Sequence, residues 1–235
     1  MNPSELVFGF LEYVVFLLST TCHEASHALV AKLGGDSTAS DKGQVSLNPI
    51  PHIRREPFGM VVMPLLGILS HTGLIGWASA PYDPLWSQKY PRRAAWMSLA
   101  GPGANFAICL TAGILMRLGL TLGYFEPGAI STSRIVLAHA GNEVADGIAT
   151  ILSVFFSLNL LLGCFNLLPF PPLDGYSVLG LFTTEAGALR LQALRLKIRG
   201  YSIIGLLIGW KLLEQYYEPL LVHGIRLVYL GYRLS

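Results

Sequence analysis

Charged residues are scarce in this chain of 235 residues. Only 13% of them are Asp, Glu, Lys or Arg, against roughly 25% in an average soluble domain. Hydrophobic residues make up 52%, and the mean hydropathy is +0.53. One globular core cannot hide that much apolar surface from water. The composition therefore excludes a water-soluble protein and indicates that the chain has a lipid bilayer as a partner.

The sequence also lacks the features of two other classes of protein. Sixteen Lys and Arg against fourteen Asp and Glu leave a net charge of +2, and no basic run is interleaved with aromatic residues. Nucleic acid is therefore not expected as a partner. The three cysteines, Cys22, Cys109 and Cys164, are widely spaced within apolar stretches. That spacing argues against a disulfide framework and against a thiolate metal site.

What the chain does contain is four long apolar stretches, over residues 6–31, 58–78, 94–122 and 148–168. Each is long enough to be considered as a membrane span, because about 20 helical residues cross the bilayer core. The first has no positively charged region before it and is too long for a signal peptide, so we expect it to remain as a membrane segment.

The remaining segments predict smaller elements. Residues 185–199 place leucines among arginines and a lysine, which predicts an amphipathic helix on the membrane surface. The stretch from residue 201 is interrupted by charged residues and a proline, and predicts either one kinked span or a helical hairpin. In the polar segment 34–57, residues 44–49 alternate enough to predict a short strand.

The motif that carries chemistry lies near the end of the first apolar stretch, where residues 23–27 read His-Glu-Ala-Ser-His. On a helix, His23 and His27 share a face one turn apart, so both imidazoles can bind one metal ion. Zinc held in this way supplies hydroxide at neutral pH, and Glu24 is placed to accept the proton and pass it to a leaving amine. Three ionisable side chains in hydrocarbon are costly unless they are paired or bound to a ligand. The motif therefore favours a zinc hydrolase.

A catalytic zinc site normally has three protein ligands. Asp174 is the candidate for the third, because it follows the proline-rich segment at the end of the fourth apolar stretch, where the helix must break. Unwound backbone packed against protein is where binding sites form in membranes. Asn166, one turn before the prolines, could donate its amide to the scissile carbonyl. The alternative is that Asn166 and Asp174 are only a helix stop and a turn.

Together these segments resemble the site-2 protease family of intramembrane zinc metalloproteases, in its compact bacterial type. The resemblance rests on HEASH, on NLLPFPPLDG at residues 166–175, and on GDSTAS, SLNPIPHI, GWASAP and LAGPGANF at residues 35–40, 46–53, 76–81 and 99–106. It covers about residues 20–180. It implies one zinc ion held by His23, His27 and Asp174, with Glu24 as the base. Arg54 departs from the pattern, where an acidic residue is frequent.

The spacing of the site constrains the topology. If all four stretches crossed the membrane, His27 and Asp174 would lie on opposite sides and could not share an ion. We therefore expect the second stretch, 58–78, to be re-entrant, because glycines and a proline interrupt it. This arrangement puts eleven Lys and Arg on one side and only Arg134 on the other, whereas strict alternation splits them five against seven. The positive-inside rule then places the site toward the cytoplasm. The resemblance to the bacterial type implies that the membrane is a bacterial inner membrane.

The predicted fold is an all-α membrane protein, a multi-span helical bundle with a re-entrant segment and a short β element after the first span. Residues 1–235 form one domain, with a catalytic core at about 5–180 and C-terminal amphipathic and membrane helices at 185–235. The predicted function is hydrolysis of peptide bonds in or near transmembrane helices of membrane protein substrates. The alternative is a membrane protein that binds or transports zinc, or an inactive relative that binds helices without cutting them. The sequence does not determine the oligomeric state.

Overall fold

Helices make up most of the chain in the computed structural model, which describes residues 3–139 and 142–231. The α-helices of this part are α1 (Pro3–Leu33), α2 (Pro49–Arg55), α3 (Met63–Leu69), α4 (Pro84–Lys89), α5 (Pro91–Thr121), α6 (Glu143–Asn166), α7 (Asp174–Val178), α8 (Glu185–Lys197) and α9 (Ser202–Val228). A π-helical turn covers Phe58–Val62, and 3-10 turns cover Leu179–Phe182 and Arg199–Tyr201. The prediction of a mainly helical protein is confirmed.

Three of the helices are long and apolar enough to cross a membrane: α1 from Ser4 onward, α5 and α6. They have 30, 31 and 24 residues, more than the roughly 20 that a bilayer core requires. α5 packs against both α1 and α6. Leu110 and Leu118 of α5 point outward, with 64% and 49% of their surface exposed. Such exposed apolar side chains on a long helix suit lipid as the surrounding medium.

The second apolar stretch is shorter as a helix than the sequence suggested. Phe58–Val62 and α3 form a continuous helical piece that stops at Leu69, and residues 74–83 have no regular structure. The returning chain lies against the π-helical turn, where the Trp77 amide donates to the Gly59 carbonyl at 3.1 Å. Gly59 is needed there, because an added Cβ would overlap the carbonyl oxygen of Trp77.

The predicted strand at residues 44–49 is wrong. Residues 45–47 form bends, and Pro49 begins α2, with the Asn48 side chain accepting a hydrogen bond from the Ile50 amide at 3.0 Å. A strand needs a neighbour to pair with, and here the polar side chains cap a helix instead. In the described residues the strand pair lies between α5 and α6, where β1 (Phe125–Pro127) runs antiparallel to β2 (Val136–Ala138).

The C-terminal region is helical, as expected. The helix predicted over 185–199 is α8, and the stretch from residue 201 forms one helix, α9, with Pro219 inside it, and not a hairpin; residues 232–235 of the predicted C-terminal region lie outside the described part. α9 packs against α5 and α6 in an apolar core formed by Cys109, Ala112, Met116, Leu120, Phe125, Ile135, Val136, Ala149, Phe156, Leu221, Ile225, Val228 and Tyr229. This core fixes α6, and with it the start of the segment that carries Asp174.

Candidate active site

The centre of the site is one face of α1. His23, Glu24 and His27 are buried, with 7%, 5% and 7% of their surface exposed. Their nearest ligand-type atoms all lie within 4.8 Å of one another. The i, i+4 spacing of a helix brings the two imidazoles together, and their Nε2 atoms are 3.0 Å apart.

The proline-rich segment after α6 brings a carboxylate to the same point. α6 ends at Asn166, the chain turns through residues 167–173, and α7 begins at Asp174. The Oδ2 atom of Asp174 lies 3.1 Å from Nε2 of His23 and 3.2 Å from Nε2 of His27. One oxygen and two nitrogens, each able to bind a metal ion, therefore surround a common point.

Hydrogen bonds on the far side of each imidazole set its orientation. Nδ1 of His23 donates to Oδ1 of Asn105 at 2.6 Å, and Nδ1 of His27 donates to the Met97 carbonyl at 2.7 Å. A neutral imidazole that donates through Nδ1 keeps a lone pair on Nε2. Both lone pairs are thereby free to face the point between the two imidazoles and Asp174, which is the arrangement that metal-binding histidines require.

Asn105 belongs to a chain of buried amides that links three helices. Its Nδ2 atom donates to Oδ1 of Asn159 in α6 at 2.9 Å, and Nδ2 of Asn159 donates to Oγ of Ser19 in α1 at 2.8 Å. The sequence predicts an interhelical hydrogen bond for Asn105, because a buried amide in a membrane helix has a polar partner. It does not identify His23 as one of the partners.

Gly101 leaves room for the two histidines. A Cβ atom added at this position of α5 would overlap Nε2 of both His23 and His27. Two residues further on, a Cβ atom added at Gly103 would meet nothing within 4 Å. α5 therefore approaches the histidine pair closely at one glycine, and any larger residue there would displace the imidazoles.

These residues fit a zinc ion. In a tetrahedral zinc site the ligands lie about 2.0–2.2 Å from the metal, which separates neighbouring ligand atoms by about 3.3–3.6 Å. The three atoms supplied by His23, His27 and Asp174 are 3.0–3.2 Å apart, close to that spacing. Oε2 of Glu24 is buried beside them with no hydrogen-bond partner among the described residues. A buried carboxylate oxygen of this kind needs a donor that the protein itself does not supply.

Asn166 lies at the end of α6, where its Nδ2 atom donates to the Leu162 carbonyl at 3.0 Å. This bond is the contact expected if Asn166 only ends the helix, which is the alternative interpretation of this residue. It uses one of the two N–H groups of the amide, so the proposed role in binding a substrate carbonyl stays a prediction.

Comparison with known proteins decides the family. The family model described as Peptidase family M50 matches residues 12–195, which include the histidine pair and Asp174. The chain belongs to peptidase family M50. The sequence-based resemblance to site-2 proteases is thereby confirmed.

Several curated relatives match this M50 chain. "Putative zinc metalloprotease YwhC" of Bacillus subtilis is 35% identical over 172 residues, covering 71% of this chain and 66% of the relative. "Putative zinc metalloprotease Rip2" is 30% identical in Mycolicibacterium smegmatis and 32% in Mycobacterium tuberculosis, covering 76% and 70% of this chain and 60% and 54% of the relatives. The matched regions thus span less than two thirds of these relatives. No solved structure matches the M50 chain significantly.

Proposed function

We propose that this chain is an intramembrane zinc endopeptidase that hydrolyses peptide bonds in or near the transmembrane helices of other membrane proteins. The observation that carries the proposal is the convergence of His23, His27 and Asp174 beside the unpartnered, buried Glu24. Membership of family M50 supports it. The three candidate spans support a location within a membrane.

In this proposal His23, His27 and Asp174 hold one zinc ion. Zinc in such a site lowers the pKa of a water molecule and polarises the peptide carbonyl. Asn105 and the Met97 carbonyl keep the two Nε2 atoms directed at the site. Glu24 does not hold the metal: it takes the proton of the attacking water and gives it to the departing amine.

Asn166 supplies the hydrogen bond for the carbonyl oxygen of the substrate in this proposal. One N–H of its amide donates to Leu162, and the second can donate to an oxygen on which negative charge develops. The substrate helix has to unwind locally, because its own hydrogen bonds and side chains shield the peptide carbonyl. The substrate class is therefore transmembrane segments that unwind easily.

The proposed topology makes Phe58–Leu69 part of a re-entrant segment. Its π-helical turn of five residues and α3 of seven residues extend over roughly 18 Å, whereas the hydrocarbon core is about 30 Å thick. With α1, α5 and α6 as crossings, His27 and Asp174 lie on one side of the bilayer. The excess of Lys and Arg makes that side the cytoplasm. Residues 1–235 act as one domain in a bacterial inner membrane.

The substitution Glu24→Gln tests the catalytic role. It keeps the size of the side chain and removes the base, so cleavage of a membrane-helix substrate in proteoliposomes should fall by at least about a hundredfold, while the zinc content of the purified protein stays unchanged. Glu12→Gln, in the same helix but outside the site, is the matched control and should cleave normally. If the wild type does not cleave the substrate, and Glu24→Gln binds or transports zinc as the wild type does, a protein that binds or transports zinc is favoured instead.

A further inference from the structure

The carboxylate of Asp174 sits on the least regular part of the site. We call residues 167–178 the ligand segment: it contains the turn after α6 and the five-residue helix α7. A metal ligand must be held to within about 0.5 Å for tight binding. A short helix after a proline-rich turn does not provide that by itself, so the neighbouring elements must hold the segment in place.

One such contact comes from α8. Arg195 donates through Nη1 to Oγ of Ser177 at 2.8 Å and through Nη2 to the Pro172 carbonyl at 3.2 Å. These acceptors lie three residues after and two residues before Asp174. The two donors belong to one rigid, planar guanidinium, which therefore fixes the distance between the two flanks of Asp174. A third hydrogen bond joins α8 to the ligand segment, from the Tyr176 hydroxyl to the Leu191 carbonyl at 3.0 Å.

Another contact comes from the start of α9. A Cβ atom added at Gly205 would overlap the Pro171 carbonyl oxygen, and one at Gly209 would lie 3.3 Å from Cδ1 of Leu173. The absence of side chains at these two positions lets α9 rest on the Pro171 backbone and on the Leu173 side chain. Both residues belong to the ligand segment, so α9 limits its movement.

Arg195 differs from Arg190, another arginine of α8, in its contacts. Arg190 of α8 is exposed and has no hydrogen bond or ion pair within the described ranges. Arg195 is partly buried, and both of its bonded acceptors are neutral. Neutral acceptors make the contribution of this guanidinium one of geometry more than of charge pairing.

We propose that α8 and α9 clamp the ligand segment, and that Arg195 is a positioning residue which holds the proposed zinc ligand Asp174 against the histidine pair. The inference rests on the proposed function, because it requires Asp174 to bind the metal. Removal of Arg195 should leave the fold in place and weaken zinc binding. Arg195→Lys cannot make both bonds with a rigid fork, and its zinc affinity should fall between those of wild type and Arg195→Ala.

The test is zinc competition against a chelator with the purified protein, residues 1–235, in detergent. Arg195→Ala should bind zinc about tenfold or more weakly than wild type, the range seen when groups that support a metal ligand are lost. Arg190→Ala should bind as wild type does. Unfolding temperatures measured on the zinc-free proteins should agree across the set, which separates positioning from general stability. Arg195→Ala with wild-type zinc affinity would overturn the clamp.

A double-mutant cycle separates positioning from a merely structural role. In the Asp174→Ala background the segment no longer supplies a ligand, so adding Arg195→Ala should weaken zinc binding no further. A second loss of equal size would show that Arg195 acts elsewhere, and would overturn the proposal. If Asp174→Ala alone keeps wild-type zinc affinity, the ligand set of the proposed function is wrong and the clamp falls with it.

A variant in α9 keeps the clamp testable if Arg195→Ala does not fold. Gly205→Ala should also weaken zinc binding, because its methyl group pushes against the Pro171 carbonyl. Gly200→Ala is the matched control, since a Cβ atom there meets nothing within 4 Å, and it should bind zinc normally. Equal zinc affinities for the two glycine variants would contradict the clamp.

Discussion

Each imidazole of the site has a hydrogen-bond partner on its far side. Burial of a polar group without a partner costs about 1–3 kcal/mol, and His23, His27 and Asn105 each have a partner within 3 Å. Oε2 of Glu24 has none among the described residues. The proposal assigns the movement of a proton to this same carboxylate.

Gly101 offers the sharpest test of how closely α5 packs on the histidines. Gly101→Ala places a methyl group where Nε2 of His23 and His27 now lie, so zinc content and cleavage should both fall at least tenfold. Gly103→Ala, two residues along the same helix, meets open space and is the control. Metal analysis of the two purified variants gives the result, and equal zinc content would contradict the close packing.

Some of the site could be predicted from the sequence and some could not. His23, Glu24 and His27 are predictable because two histidines one helical turn apart can bind one metal ion, with the glutamate beside it. Asp174 could be proposed because it follows a helix break. The partners of the imidazoles could not be predicted. The sequence does not show whether the Asn105 amide bonds to a neighbouring helix or to a histidine, and Met97 contributes only its backbone carbonyl, which any residue has.

Among the elements, long apolar helices were predictable and irregular ones were not. α1, α5 and α6 follow from runs of apolar residues longer than a bilayer is thick. The segment 44–49 alternates like a strand, but a strand depends on a partner elsewhere in the chain, which alternation does not reveal. The close contact of Gly59 with the backbone at Trp77 likewise depends on how two distant segments pack.

The loop after α1 is tied to α4 by one carboxylate. Asp36 accepts hydrogen bonds from the amide of Thr38 at 2.9 Å and from the amide of Asp83 at 2.9 Å. Burial raises the pKa of Asp36, but the hydrogen bonds from Thr38 and Asp83 outweigh this effect and lower the pKa below its ordinary value of 3.8. The ionised form therefore stabilises the folded loop.

Asp36→Asn should lower the free energy of unfolding by about 1–3 kcal/mol at pH 7. Because the folded pKa is lowered, the advantage of wild type is complete above pH 3.8 and is lost as the pH falls through the folded value. Unfolding in detergent at a series of pH values measures the difference. Asp41→Asn, an exposed carboxylate of the same loop, should change stability by less than about 0.5 kcal/mol at any pH. A pH-independent loss for Asp36→Asn would refute this account.

For the whole molecule, the meeting of the end of α1 with the ligand segment implies an even number of membrane crossings between them, which leaves both on one side. Single cysteines at Lys42 and Lys89, in a background without native cysteines, should react with a membrane-impermeant reagent from the same side. A cysteine at Arg134 should react from the opposite side. Labelling of Lys42 and Lys89 positions from different sides would require the second apolar stretch to cross the membrane.

The central claim is that two imidazoles and one carboxylate meet around a shared zinc ion. The most direct measurement is anomalous diffraction at the zinc absorption edge from crystals of the zinc-loaded protein. The account predicts a single strong peak about 2.0–2.2 Å from Nε2 of His23, Nε2 of His27 and an oxygen of Asp174. A zinc peak elsewhere, or a peak at the histidines with Asp174 turned away from it, would contradict the account.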